Sequence, residues 1–497
     1  MVVRNSLPST SGGFAAIVAP FQIFLHVTCM LLSPSDYMCK KRNTQQFSRG
    51  ADMKKNISIS VAILLVAGVI SAMPFVSGLL MEKTLRRVVD ALNARHAATG
   101  SGYSVTIIDY ERGYGTSDII WKLNLGALKS VCSIEEIILK DHAEHGFTGV
   151  VSTTRLNSNP WYAYFVAENL LGRDPVHITT RYGLLGSVEN TFALDTFMIP
   201  ADNDTIDVKA GSIVTTTDRT LATFISVGNW GGLSGGDRLS IGPMSMDSNL
   251  TRISTFIWDG AVNFSLAGMH ARLQKKHFQI ESLAGSYTID SSGDHKIVST
   301  KTRFAVDGMR SDKINVKNAS VQVAVNGMDA GGYTSLMRLC AANLFDTLSE
   351  KKAAPDRGGN VANTSMNKKM AASNLRALAA CEDLLKKGLE IRISDLHIEL
   401  DEGKIEGGVA LRLLQDMSFM QFAPVINQPC ILLDIFHLES ALTFPAALAV
   451  GNPKLTRPLY PGMQTGLFVQ KGDHLSHQAK TVDGKLMLNG NEVFLAR

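Results

Sequence analysis

Hydrophobic and polar positions alternate with a period of two along most of the chain beyond residue 100. Val321, Val323 and Val325, for example, are each separated by a single residue. Residues 103–125 predict two strands around the sequence ERGYG. A period of two places every second side chain on the same face of a strand. We therefore expect an α+β protein, mostly antiparallel β, built as an elongated twisted sheet with a few helices.

Turn residues between apolar runs predict three hairpins. The first turns around residues 291–294, the second around 401–404, and the third at Asp483 and Gly484. Aspartate followed by glycine is a strong signal for a two-residue turn, because both residues tolerate a positive φ angle.

The first strand of the second hairpin changes phase. Ile391 and Ile393 share one face, whereas Leu396 and Ile398 have the opposite parity. A β-bulge at residues 394–395 would add one residue and return these side chains to a single apolar face.

A long uncharged segment, residues 57–80, follows Lys54 and Lys55. At ~1.5 Å per residue a helix of this length would cross a hydrocarbon layer of ~30 Å. Basic residues before an apolar run are typical of an export signal. We predict a single-pass signal anchor whose amino end lies in the cytoplasm. Cleavage after Ala72 is the alternative, although Ile70 is not the small residue preferred there.

The residues before this anchor raise a question about the start of the chain. The sequence from Met53 onward looks like a bacterial amino terminus, so we interpret residues 1–52 as a wrongly extended or disordered region. The alternative is that the apolar run at 14–32 forms a first transmembrane helix, despite its interruption by Pro20 and His26.

Helical spacing of apolar residues appears in three places. Leu85, Val88 and Leu92 predict that the anchor helix continues beyond the membrane, and two further helices are predicted at about 334–348 and 373–387. The predicted organisation is 1–52, the region before the anchor; 53–82, the signal anchor; 83–350, a β-rich region; 351–372, a linker or insertion; and 373–497, a helix and hairpins that complete the same fold.

Composition excludes several classes of protein. Hydrophobic residues form 45% and charged residues 19% of the chain, which fits a packed core. A net charge of +4, without basic and aromatic residues interleaved, argues against nucleic-acid binding. No cysteines form a CxxC pair, so no zinc ribbon or thioredoxin-like site is predicted. Cys340 and Cys381 are predicted to be buried as small apolar residues on two helices; the alternative is a disulfide between them after export.

Candidate chemistry in the sequence is sparse. His142 and His145 stand close together, but the surrounding residues predict a strand, on which the two point to opposite faces. We therefore predict no metal site there, nor at His474 and His477. The glycine-rich residues 228–240 lack the end of a phosphate-binding loop, so turns or bulges are predicted. No cofactor is predicted, and no residue is assigned a catalytic role.

Several short motifs resemble, by their order and spacing, the YdgA-like family of bacterial inner-membrane-anchored periplasmic proteins, a domain of unknown function. They are MKKN, YERGYGTSD, DHAEHG, SGGDRLS, LESALTFPAAL and GKLMLNGNEV. The resemblance covers nearly everything from Met53 to the end. The GYG after Arg112 and the phenylalanine at Phe147 depart from the family's pattern.

The resemblance implies eight motif positions, which we interpret as structural. They are Tyr110, Arg112, Gly113, His145, Gly146, Leu488, Asn489 and Gly490. It also implies a single-pass protein of the bacterial inner membrane with the bulk of the chain in the periplasm. No established reaction comes with it.

We expect a noncatalytic protein that serves maintenance of the cell envelope. An antiparallel sheet can leave one face uncovered, so lipid binding on an apolar sheet face is the first hypothesis for its function. The alternatives are a scaffold that binds another envelope protein, and a hydrolase whose catalytic residues come from distant positions. The expected partners are the inner-membrane bilayer and a lipid or envelope protein.

Overall fold

The structure, a computed structural model, describes part of the chain. The described residues are 55–99, 102–126, 129, 134–156, 158–201, 204–218, 220–273, 276–312, 314–350, 379, 381–418, 429–451 and 462–493. The predicted apolar run at 14–32, the linker at 351–372, and residues 373–378 and 380 of the helix predicted at 373–387 lie outside these residues.

Strands dominate the described chain, and helices are few. The helices are α1 (Lys55–Thr99), α2 (Pro160–Leu170), α3 (Ala330–Glu350), α4 (Pro429–Ile435) and α5 (Ala446–Gly451). The strands are β1 (Tyr103–Arg112), β2 (Thr116–Leu125), β3 (Glu136–His145), β4 (Gly149–Arg155), β5 (Val176–Gly183), β6 (Val188–Leu194), β7 (Phe197–Ala201), β8 (Asp204–Val208), β9 (Gly211–Thr217), β10 (Thr223–Trp230), β11 (Leu233–Gly235), β12 (Leu239–Ile241), β13 (Met244–Arg252), β14 (Trp258–Leu266), β15 (Met269–Leu273), β16 (Lys276–Ile280), β17 (Leu283–Ser291), β18 (Ile297–Val306), β19 (Met309–Ser311), β20 (Asn315–Asp329), β21 (Glu390–Leu400), β22 (Gly403–Leu413), β23 (Phe436–Pro445), β24 (Val469–Lys471), β25 (His474–Val482), β26 (Lys485–Leu488) and β27 (Asn491–Val493). The prediction of a mostly antiparallel β fold with a few helices is confirmed.

The three predicted hairpins are confirmed. They are the pairs β17–β18, β21–β22 and β25–β26, and the turn of the last has positive φ angles of 51° at Asp483 and 70° at Gly484. The predicted bulge is also confirmed, because the register of β21 against β22 shifts between Ile393 and Leu396, where Asp395 has a φ of 51°.

Helix α1 continues to Thr99, as the spacing of its apolar residues predicted. Leu85 and Leu92 are buried in the core, which explains that spacing. The predicted helix at 334–348 lies within α3, whereas α2, α4 and α5 were not predicted from the sequence. Among the described residues, no helix combines the length and the apolar character needed to cross a membrane.

The first compact unit comprises Met1–Leu194, Ser212–Ile225 and Leu344–Pro355. Its strands β1 to β6 pair in chain order, and β9 pairs with β6. Helix α1 packs against β1, β3 and β4. The core between helix and sheet contains Met81, Leu85, Ile119, Ala143 and Val150.

The second compact unit comprises Asp195–Gly211, Ser226–Asn343 and Asp356–Arg497. Its sheet branches at the long strand β20, which pairs with β18 and β19 on one side and with β21 on the other. One branch continues through β17, β14 and β13, and the other through β16, β15, β12, β11, β8 and β7. Beyond β21 follow β22, β23 and β25.

In the second unit, several neighbouring strands are each followed by two residues that belong to no strand before the next strand begins. These two-residue gaps line up across the sheet. This line, the crease, is formed by Lys209–Ala210, Gly231–Gly232, Gly242–Pro243, Ala267–Gly268, Glu281–Ser282 and Asp307–Gly308. Backbone hydrogen bonds continue across it: Gly231 N donates to Ala210 O (2.8 Å), Gly242 N to Gly268 O (2.8 Å), and Glu281 N to Gly308 O (2.8 Å). The pairing register is the same on both sides of the crease, since Ile241 lies opposite Met269 and Met244 lies opposite Leu266, so neighbouring strands are interrupted together without a bulge.

The crease explains a change of phase that recurs in every strand it crosses. Apolar residues on its two sides are spaced by three instead of two, as in the pairs Ile241 and Met244, Leu266 and Met269, Ile280 and Leu283, and Val306 and Met309. A spacing of three would put them on opposite faces of a regular strand. Because all these strands change phase at the same level, the apolar residues of neighbouring strands stay opposite one another on both sides of the crease.

Gly232 shows why glycine is required in the crease. Its φ of 92° is a left-handed conformation, and a Cβ atom on it would overlap the carbonyl oxygen of Ile241 on the neighbouring strand. Other residue types would be strained there both by the backbone angle and by this contact.

We expect Gly232→Ala to destabilise the second unit by about 1–3 kcal/mol, the cost of a left-handed conformation in a residue other than glycine. Gly293→Ala is the matched control, because this turn glycine has no positive φ and open space around its Cβ position. Urea unfolding followed by near-ultraviolet circular dichroism measures both. Equal midpoints for the two variants would contradict this account of the crease.

Candidate functional site

Two features of the described chain stand out as candidate sites: a buried polar cluster in the first unit and an uncovered apolar face in the second. The cluster, which we call the helix seat, consists of Tyr110, Ser117, Asp141, His145 and Tyr182. These residues come from β1, β2, β3 and β5, and they lie beneath helix α1.

The centre of the helix seat is a hydrogen bond between Ser117 and His145. The Ser117 Oγ and His145 Nε2 atoms are 2.9 Å apart, and the two residues are only 1% and 7% exposed. Gly78 of α1 lies directly on the imidazole ring, since a Cβ atom at this position would overlap that ring. The absence of a side chain at Gly78 is therefore what allows the helix to approach the sheet so closely.

Burial determines the charge state of the helix seat. It lowers the pKa of His145, with nearby Arg112 acting in the same direction, so the ring is held neutral. Burial also raises the pKa of Asp141, whose Oδ2 atom accepts a hydrogen bond from Trp121 Nε1 at 2.9 Å. The pKa values of Tyr110 and Tyr182 are likewise raised by burial.

The geometry of the helix seat favours a structural role. A serine–histidine pair can generate a nucleophile, but it needs access for the substrate and a group that orients the histidine. Ser117 is almost fully buried, and no carboxylate among the described residues bonds His145 Nδ1 to orient the ring. The pair instead places a polar contact under Gly78.

Arg112 holds the same helix from the rim of the helix seat. Its guanidinium forms an ion pair with Glu82 at 3.1 Å and lies 5.0 Å from the centre of the Phe75 ring. Arg86, one turn beyond Glu82, shares this carboxylate and lies over the Tyr110 ring. Arg112 therefore contacts α1 rather than carbonyl groups of a turn or a ligand anion.

The two motif glycines close the hairpins beside the helix seat. Gly113 N donates to Thr116 O at 2.8 Å between β1 and β2, and Gly146 N donates to Gly149 O at 2.7 Å between β3 and β4. Five of the eight motif positions, Tyr110, Arg112, Gly113, His145 and Gly146, thus meet at one end of the first unit's sheet.

The other three motif positions, Leu488, Asn489 and Gly490, form a separate turn in the second unit. Asn489 and Gly490 have φ angles of 50° and 88°, which suit these two residue types. Asn489 Oδ1 accepts a hydrogen bond from Gln478 N at 2.8 Å, and its Nδ2 donates to Gly466 O at 2.7 Å. This asparagine therefore ties the last hairpin to the preceding loop.

The uncovered apolar face belongs to β13, β14, β17, β18, β20, β21 and β22 of the second unit. Its members are Met244, Met246, Leu250, Val262, Phe264, Leu266, Leu283, Tyr287, Phe304, Val306, Val321, Val323, Val325, Ile391, Ile393, Ile398, Ile405, Val409 and Leu411. Phe304, Ile391 and Val409 are 43–44% exposed, and the remaining members are partly exposed.

The opposite face of these strands is polar. It carries residues such as Asp247, Asn263, Arg303, Gln322 and Glu406, several of which bond across strands, as Asn263 does with Asp247 at 2.9 Å. Helix α3 contacts the end of the apolar face, where Tyr333 packs on a cluster with Ile289, Val298 and Met328. In the described chain the centre of this face is apolar and accessible.

Among the described residues there is neither a candidate metal site nor a disulfide. They contain no group of three or more histidine, cysteine, aspartate or glutamate side chains that could hold a metal ion. His142 is exposed and bonds Asp118 at 2.7 Å, on the face opposite to His145. Cys340 and Cys381 are free and exposed, so the prediction that they are buried is wrong, and the alternative of a bridge between them is not observed.

Sequence reasoning missed Gly78, Glu82, Ser117 and Asp141. Each gains its role from a partner that is distant in the chain: Gly78 from His145, Glu82 from Arg112, and Asp141 from Trp121. Their local sequence carries no signal for these contacts.

The fold and these sites define a class of protein: an antiparallel β protein with a long amino-terminal helix seated on its first unit and an open apolar face on its second. Residues 53–496 match a family described as bacterial protein of unknown function (DUF945), and the chain belongs to that family. No curated protein and no solved structure matches it. The YdgA-like name of the resemblance stays a prediction.

We expect Gly78→Ala to loosen α1 from the sheet by about 1–3 kcal/mol, because the added methyl group would overlap the His145 ring. Gly68→Ala, on the same helix with open space around it, should cause no loss. Hydrogen exchange of the amides at residues 81–92 measures the docking. Equal protection in the two variants would show that the close approach at Gly78 is unimportant.

Acidification should also weaken this docking. The pKa of His145 is lowered from its ordinary value of 6.5, so the undocked state binds more protons; stability is complete above that value and is lost as the pH falls below it. Between pH 7.5 and 5.5, exchange corrected for its intrinsic rate should increase more in the natural protein than in His145→Gln. Parallel pH profiles would rule out His145 as the cause, since Asp141, whose raised pKa acts in the opposite direction, is present in both.

Proposed function

We propose that this protein is anchored in the bacterial inner membrane and binds the acyl chains of lipid on the apolar face of its second unit, without catalysis. The observation that carries the proposal is the accessible centre of that face, set against a polar opposite face. Monomeric soluble proteins rarely leave contiguous apolar surface of this kind exposed unless it binds something.

Membrane attachment is proposed from the sequence of α1. Lys54 and Lys55 precede an uncharged apolar run, an order typical of an export signal or anchor. With the amino end in the cytoplasm, both units would lie in the periplasm, and the protein would serve the maintenance of the envelope.

Lipid is favoured over a protein partner by the chemistry of the apolar face. Its members are aliphatic side chains, methionine, phenylalanine and one tyrosine, Tyr287, with few polar groups among them. Protein interfaces are distinguished by aromatic and arginine anchors and about one hydrogen bond per 100–200 Å². A surface with so little hydrogen-bonding capacity suits flexible acyl chains better.

One observation favours a hydrolase as the second candidate. On the sheet face that carries Leu442, the Ser440 Oγ and His477 Nε2 atoms are 2.8 Å apart, and His477 Nδ1 donates to Leu467 O at 3.0 Å. This arrangement leaves Nε2 to accept the serine proton. We propose a structural role for the pair, because its histidine is oriented by a backbone carbonyl instead of a carboxylate.

Photoactivatable phospholipid with a diazirine in the acyl chain tests the proposal on the full chain in membranes. We expect adducts on peptides from β13 to β22. Phe304→Glu should reduce them about tenfold, because a charge in an apolar contact costs more than 1.4 kcal/mol. Arg303→Glu is the matched control, since it is exposed on the polar face of the same strand.

The other outcomes identify the alternatives. Equal labelling of the two variants would contradict binding on this face. A stoichiometric crosslink to one envelope protein in place of lipid would favour the scaffold. Recovery of the lipid with one acyl chain hydrolysed, and loss of that product in Ser440→Ala, would favour the hydrolase.

A further inference from the structure

Three hairpin turns of the first unit lie at the same end of its sheet. They connect β1 to β2, β3 to β4, and β5 to β6, which follow one another as consecutive antiparallel strands. Contacts between the turns confirm their proximity: His145 N donates to Gly115 O at 2.8 Å, and Gly149 is paired with Gly183.

The tips of these turns carry exposed apolar side chains. Tyr114 is 60% exposed, Phe147 is 55% exposed and Leu185 is 91% exposed. Their immediate neighbours at the tips are two glycines in the first turn, glycine and threonine in the second, and Leu184 and glycine in the third. Exposed aromatic and aliphatic residues on successive turns are unusual in water and typical of loops that enter a membrane interface.

Helix α1 passes through this same end of the sheet. Gly78 contacts His145 beside the turns, whereas Asn93, further along the helix, bonds both backbone groups of Val105 near the start of β1, at the opposite end. The helix therefore extends beyond the sheet on the side of the three tips, with the apolar residues 57–73 leading away from it.

The outer surface of α1 remains apolar up to the tips. Phe75, Val76, Leu79 and Leu80 are each 41–45% exposed, and their spacing places them on one side of the helix. Glu82, Lys83, Arg86 and Arg87 follow directly. A change from apolar to charged residues along a helix marks the level at which a membrane surface would lie.

We propose that Tyr114, Phe147 and Leu185 enter the interface of the same bilayer that holds α1, so that the first unit rests on the membrane by three hairpin tips around its anchor. This inference rests on the proposed membrane attachment. Tyrosine suits the headgroup region because its ring is apolar and its hydroxyl is polar, and phenylalanine and leucine suit the apolar boundary beneath it. The helix seat then fixes the orientation of the first unit relative to the membrane, because it fixes α1 against the sheet.

The chain offers a matched control at the opposite end of this sheet. Strand β4 leads away from the tips, and α2 follows it. Tyr164 on α2 is 67% exposed, as accessible as Tyr114. Tyr164 has the same side chain as Tyr114 but lies away from the proposed membrane contact.

Benzoylphenylalanine placed singly at positions 114, 147, 185 and 164 of the full chain, irradiated in inner-membrane vesicles, tests the inference. The readout is the mass of photoadducts, and extraction with alkaline carbonate is measured on the same samples. We expect the chain to resist extraction and phospholipid adducts to form at 114, 147 and 185 at several times the level at 164.

The outcomes separate the two proposals. A chain that resists extraction but gives no more lipid adduct at the tips than at 164 overturns the membrane contact of the tips and leaves the anchor intact. Adducts at the tips that contain protein instead of lipid overturn it as well. A chain that carbonate extracts overturns the proposed anchor, and with it this inference.

Discussion

The contact between Gly78 and the His145 ring is the constraint on which the arrangement of the first unit depends. It allows α1 to lie close enough to the sheet for Met81 and Leu85 to reach the core with Ile119 and Val150. A buried polar pair under a helix is costly unless its hydrogen bonds are made. Because the Ser117–His145 bond satisfies one side of the ring, the seat specifies where the helix lies along the sheet.

A different constraint governs the second unit, where the strands are interrupted without losing their pairing. The crease interrupts neighbouring strands at the same level, so that backbone hydrogen bonds continue and apolar partners stay opposite one another, as Ile241 does with Met269 and Met244 with Leu266. Gly232 and Gly242 at this level permit backbone approaches that a side chain would obstruct.

Alternation of residue types predicted the antiparallel strands and three hairpins because these patterns are local. It also predicted the bulge at residues 394–395, where the phase changes inside one apolar run. The crease escaped prediction because each strand changes phase at a turn-like pair such as Gly242–Pro243, and the alignment of these pairs appears only once the register is known. The helix seat was not predicted from the sequence for the same reason, since Gly78 and His145 belong to elements far apart in the chain.

Each of the two units carries apolar surface that is exposed to solvent. An exposed apolar face lowers the stability of a protein in water. In the second unit the apolar residues are confined to one face: Phe304 and Val321 lie opposite each other on that face, and their chain neighbours Arg303 and Gln322 lie opposite each other on the polar face. Poor packing would leave apolar residues scattered on both faces. The separation of faces instead gives these strands one polar and one apolar side, whereas α1 changes from apolar to charged residues along its length, at Glu82.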